Sequence, residues 1–192
     1  MNRWLAVGCF WLIGSPLATA QLFDYSSDRD ASLEPCDELF HSGERPQANS
    51  CYAALLIESD DATVRAEAAW RTGDLQAANA YFRTAVEIEP ESPRARTRWG
   101  RLFLTTHQNS EAIKLFQEAL ELDDGYLPAK LGLAALAAGR FDDRAQALVD
   151  EVLEADSSQI EAHLLRARMI LEEGALTLAD EILSEALRIA EA

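Results

Sequence analysis

Positive charge is scarce in this chain. Its 192 residues carry 17 lysines and arginines against 33 aspartates and glutamates, a formal net charge of −16 at pH 7. A surface that negative repels phosphates, which disfavours nucleic acid and anionic lipid as partners. It permits a basic partner without implying one, and it equally suits the solubility of an alanine-rich helical surface. Catalytic signatures are missing too. His41, His107 and His163 are isolated, and none belongs to an HExxH or facial-triad spacing. No Gly-x-Ser-x-Gly and no phosphate loop occur. Asp60-Asp61, Asp123-Asp124 and Asp142-Asp143 fall at expected helix boundaries, whereas a calcium loop needs alternating acids. The expectation is a protein that is not an enzyme and has no metal, no cofactor and no small-molecule substrate.

Apolar runs long enough to cross a bilayer are also lacking at the N-terminus. Residues 4–13 are apolar, but a spanning helix needs about 20 such residues. Arg3 precedes this run, Gly14, Ser15 and Pro16 break it, and Ala18-Thr19-Ala20 offers small residues for cleavage. Residues 1–20 therefore read as a secretory signal peptide cut between Ala20 and Gln21, with a periplasmic or secreted product. An uncleaved anchor is the alternative. A lipoprotein signal at Cys9 is weaker, because the apolar run continues past it. Residues 21–33 are polar with a few aromatics and read as a flexible linker.

Cysteine is sparse, and cleavage leaves only Cys36 and Cys51. Export places them where disulfides persist. Residues 34–42 and 49–57 have helical spacing, and 43–46 have turn chemistry, so the two cysteines face each other across an antiparallel hairpin spanning 34–58. A bridge closing about 15 residues contributes roughly 3 kcal/mol in the chain-entropy model. Free thiols and a metal or redox role are the competing readings, although the spacing fits no zinc pattern.

What is present in abundance is repetition. Ala78, Phe82, Ala85 and Pro90 are followed 34 residues on by Ala112, Phe116, Ala119 and Asp124. Ala145, Val149, Val152 and Ser157 come 33 later, and Ala179, Leu183, Ala186 and Glu191 another 34 later. Such a period marks stacked supersecondary units. Each unit reads as two helices: 60–72 with 75–89, 92–106 with 110–122, 127–138 with 144–155, and 158–173 with 176–192. Ser92 and Pro93 read as an N-cap with proline at the first helical position, and Ser158 with Glu161 as a capping box. Small residues let helices approach; the bulky residue four positions on fills the next layer. Tyr52 follows Ala48 at the same spacing, so the hairpin reads as a degenerate first repeat.

Trp99-Gly100 with Phe103, Leu131-Gly132, and the series Gly73, Ala78, Tyr81, Phe82, Ala85 and Pro90 carry a resemblance to the tetratricopeptide repeat family over residues 59–192. The resemblance implies an all-α, right-handed α-solenoid of four helix-turn-helix repeats whose first helices line a concave groove. It implies a groove lined by Thr63, Glu67, Trp70, Arg71, Arg94, Thr97, Arg101, Leu104, Leu133, Leu136, Leu164, Arg168 and Leu171. Arg94, Arg98 and Arg101 form a basic cluster at helical spacing in an acidic chain. They suit either recognition of a peptide carboxylate or internal ion pairing. Trp70 and Trp99 suit either the core or a ligand platform. Trp70, Arg94, Arg98, Arg101 and Arg168 are the candidate partner-binding residues.

The expected function is an exported, non-catalytic scaffold for a protein or peptide. Assembly of an envelope complex (cytochrome maturation, outer-membrane insertion or pilus building) and an accessory role beside a secreted peptidase-like enzyme are the alternatives. The apolar residues of the last helix suggest a homodimer through this face, a bound partner, or a chain cut from something longer.

Overall fold

The computed structural model describes residues 28–140 and 142–191; the expected signal peptide and most of the expected linker lie outside them. A 3-10 turn, Ala31–Leu33, leads into ten α-helices. They are α1 (Glu34–His41), α2 (Arg45–Glu58), α3 (Ala62–Arg71), α4 (Leu75–Ile88), α5 (Pro93–Thr105), α6 (Asn109–Leu122), α7 (Leu127–Ala138), α8 (Arg144–Ala155), α9 (Ile160–Glu172) and α10 (Leu176–Ala190). No strand occurs among the described residues. The helices pack as consecutive antiparallel pairs, α1 with α2 through α9 with α10, and each pair leans on the next.

Local chemistry sets the boundaries. Asp61 accepts hydrogen bonds from the Thr63 and Val64 amides, Asp74 from the Ala77 amide, and Ser92 from the Ala95 amide, so α3, α4 and α5 each begin on a side-chain cap. Pro93 opens α5, where its missing N–H costs nothing. Pro46 does the same in α2, which therefore starts at Arg45, four residues before the expected Asn49. The expected capping box at Ser158 does not form. The Ser158 hydroxyl binds Asp156 instead, and Glu161 turns inward. Gly43, Gly73 and Gly174 hold φ of 84–89° in the turns between paired helices, and His107 holds the same turn position at φ 59°.

The repeat spacing becomes packing. Phe82 and Phe116 are fully buried, as is Val149. Each belongs to a core cluster that spans its own helix pair and the following one: Phe82 with Leu102 of α5, Phe116 with Ala129 and Leu136 of α7, and Val149 with Ala162 and Leu165 of α9. Full burial of such side chains stabilises by about 1.5–3 kcal/mol each. Phe116 fits because two glycines face it: a Cβ added to Gly100 lies 2.7 Å from its ring, and one added to Gly132 lies closer. Leu183, the fourth member of the series, is 39% exposed, with no further pair against it among the described residues.

Cys36 and Cys51 form a disulfide with a Cα separation of 5.4 Å, tying α1 to α2. Leu33, Ala48 and Tyr52 are fully buried in the same cluster, and the Tyr52 hydroxyl donates to Asp37. Residues 28–33 thus differ from the flexible-linker expectation: Leu33 is core, and the residues before it run onto the repeats.

Candidate partner-binding groove

The first helices of successive pairs touch one another, α3 to α5, α5 to α7 and α7 to α9. That contact places them on the inner, concave side of the array, with the second helices outside. Arg94, Thr97, Arg98 and Arg101 share α5 and carry the most charged part of this inner layer.

Arg98 is 1% exposed. Its Nε and Nη2 donate to both carboxylate oxygens of Glu67 on α3 at 2.8 and 2.5 Å, and Nη1 donates to Asp28 Oδ1 at 3.3 Å. Burial works against the charged guanidinium, but the Glu67 and Asp28 carboxylates outweigh it and hold Arg98 above its ordinary pKa. Arg101 is fully buried; its Nη2 donates to Glu161 Oε2 on α9 at 2.9 Å and to the Pro128 carbonyl at 3.4 Å. Burial pushes the Glu161 carboxyl up, opposed by Arg101. Paired charges this deep fix geometry more than they stabilise, because desolvation offsets most of the Coulombic gain. Arg98 and Arg101 therefore occupy internal ion pairs, the second of the two sequence readings, and present no exposed surface.

Arg94 is the accessible member of the cluster. Nη1 donates to Asp61 Oδ2 at 3.0 Å, Nη2 to Asp30 Oδ2 at 3.3 Å, and Nε to the Asp28 carbonyl at 3.0 Å. The Tyr126 hydroxyl, at the entry to α7, donates to Asp28 Oδ2 at 3.3 Å. Burial and then the Asp28 charge hold this phenol above its ordinary pKa, so it stays a donor.

Farther along, Leu164, Arg168 and Leu171 share one face of α9 at four- and three-residue spacing and are half-buried, as are Leu104 on α5 and Leu133 on α7. Arg168 has its nearest carboxylate, Glu172, at 3.9 Å, and burial lowers its pKa. Thr63, Thr97 and Leu136 are buried. Trp70 packs against the cluster around Ala66, Ala69 and Phe82, while the Trp99 indole donates to Asn79 Oδ1 at 2.8 Å. Arg71 lies 3.9 Å from Asp37 of the stapled hairpin.

Three partners in this layer are hidden from a sequence reading: Glu161, whose spacing suits a cap, and Asp28 and Tyr126, which belong to no motif. Glu67 is on the expected groove, and its pairing does leave a signal. The position one repeat before Arg98 lies a single helical turn ahead of Glu67.

Two tetratricopeptide repeat family models match the sequence, one over residues 63–126 and one over 103–169. The chain belongs to the tetratricopeptide repeat family, and its fold is the family's right-handed α-solenoid. Among solved structures it is similar in fold to TTC0263, a thermophilic tetratricopeptide repeat protein of Thermus thermophilus. That match has a TM-score of 0.67 and 18% identity, over 83% of this chain and 90% of that one. Yeast Tom70 matches at a TM-score of 0.59 and 16% identity, over 92% of this chain and 39% of Tom70. YrrB, described as having an unusual peptide-binding site, matches at a TM-score of 0.50 and 19% identity, over 91% of this chain and 93% of that one. Among curated proteins no sequence matches this chain.

Proposed function

We propose that this protein is an exported scaffold that binds a protein or peptide in its concave groove and performs no chemistry of its own. The observation that carries the reading is the half-buried strip on the inner helices: Leu104, Leu133, Leu164 and Leu171, with the weakly paired Arg168 among them. An apolar strip with one desolvated cation suits an extended or helical segment that brings leucine-like side chains and a carboxylate. The family membership and the likeness in fold to a solenoid with a peptide-binding site agree with this. Export rests on the sequence of residues 1–20 and on a cysteine pair that needs an oxidising compartment to persist.

Site-specific photo-crosslinking tests the groove. A photoreactive side chain at Leu133 or Leu164 should capture a partner in cells, and one at the exposed Glu87 on the outer helix α4 should not. Equal capture from both faces would count against the reading. A second contact is supported by α10, where Leu176, Leu178 and Leu187 are 63%, 48% and 60% exposed. A second copy or another protein would cover them, and sedimentation of the purified mature protein distinguishes the two.

A further inference from the structure

We propose that the groove is occupied in cis: residues 28–30 sit on Arg94, Arg98 and Tyr126 as a stand-in for an acidic peptide, which must displace them to bind. The proposal rests on the groove being the partner site, and it adds which chemistry enters and what holds the entrance closed.

The contacts are those of a bound ligand. Asp28 belongs to no helix, yet its side chain is only 2% exposed. Its carboxylate takes one hydrogen bond from Arg98 and one from Tyr126, its carbonyl takes one from Arg94, and Asp30 takes another from Arg94. These donors stand 64 to 98 residues away in sequence. They come from α5 and the start of α7, which are consecutive inner helices, so the segment crosses from one repeat to the next.

The seat survives without its occupant. Arg98 keeps the two-point bond to Glu67 and Arg94 keeps Asp61. The Asp28 contacts, at 3.0–3.3 Å, are longer than the 2.5–2.8 Å fork to Glu67. They are the looser part of the network and the part that can exchange. Asp30 accepts from the Ser32 amide at 2.9 Å and hydroxyl at 2.6 Å, which starts the 3-10 turn, and Leu33 is anchored in the core. Arg29, between the two aspartates, is ion-paired with Asp37 of the stapled hairpin. The segment can therefore lift as far as Leu33, opening that turn and the Arg29–Asp37 pair, while the stapled hairpin stays in place. The chain's −16 charge disfavours a carboxylate ligand everywhere but at a pre-built arginine seat, and this seat already holds two aspartates.

The test uses the mature chain and a fluorescein-labelled synthetic peptide carrying residues 24–33. The double variant Asp28→Asn with Asp30→Asn should bind the peptide at least about ten-fold more tightly than the unsubstituted chain. A peptide with asparagine at both positions should bind neither. Equal affinity for the two chains, or no binding to the variant, would overturn the proposal. Hydrogen exchange on the unsubstituted chain gives a measurement independent of the variant's folding: saturating peptide must lower protection at Ser32 and Leu33, whose amides bond to Asp30, and leave α5 protected. Unchanged protection at Ser32 and Leu33 would also overturn it. Groove crosslinking through Leu133 or Leu164 reports separately. If a partner is captured equally with and without the two asparagines, the groove stands and self-occupancy falls.

Discussion

Arg98 is buried beneath residues 28–30, and its guanidinium is charged at any pH the protein meets. Its removal would strand Glu67, itself 1% exposed, as an uncompensated buried carboxylate. Arg98→Met should therefore destabilise the fold by about 3–5 kcal/mol, and adding Glu67→Leu should restore most of the loss, because replacing both members of a buried pair is far milder than removing one. Urea denaturation of the two variants checks this. The same logic applies to the variant Arg101→Glu. It would set a second carboxylate against Glu161, so lost partner binding there would reflect lost fold. The existence of the arginine cluster was legible, since three arginines at helical spacing stand out in an acidic chain. The fate of two of them was not, because their carboxylates lie 31 and 60 residues away and meet them only when the superhelix forms.

At the level of the helix pair, two positions decide how well the unit closes. Phe116 lies between Gly100 and Gly132, and its ring is fully buried, so it cannot swing aside for a methyl group. Gly132→Ala should cost about 1–3 kcal/mol by overpacking, although alanine is the better helix former. A thermal melt that shows stabilisation would contradict the packing described. His107 presents the opposite case. It holds a left-handed conformation that costs a side-chain-bearing residue about 1–2 kcal/mol, in the turn where Gly43, Gly73 and Gly174 sit. Glycine removes that strain but gives part of the gain back through its larger entropy in the unfolded chain. His107→Gly should therefore stabilise by about 0.5–1 kcal/mol, read from the urea midpoint. The small-large-small spacing and the turn residue were legible because they fall within one helix pair, and the period because it repeats them at a fixed interval; the meeting of Phe116 with Gly132 of the next pair was not. The Ser158–Glu161 cap is just as local in sequence and does not form, since Glu161 meets a buried arginine two repeats back.

For the molecule as a whole, the first and last described helix pairs differ: a disulfide ties the first, and the last leaves several leucines exposed. The disulfide spans 15 residues and should contribute about 3 kcal/mol, so reduction should lower the urea midpoint by a corresponding amount without altering helix content. The proposed export predicts that N-terminal sequencing of the protein made in cells gives Gln21 as the first residue and that its intact mass matches the bridged form of the two cysteines. Phe82, Phe116 and Val149 each lock one pair onto its successor, and Leu183 holds the same place with nothing to lock. The stacking is thus a ratchet in which each pair carries the tooth for the next. An extra helical pair grafted after α10, with an alanine set to receive Leu183, should click on and raise the melting temperature.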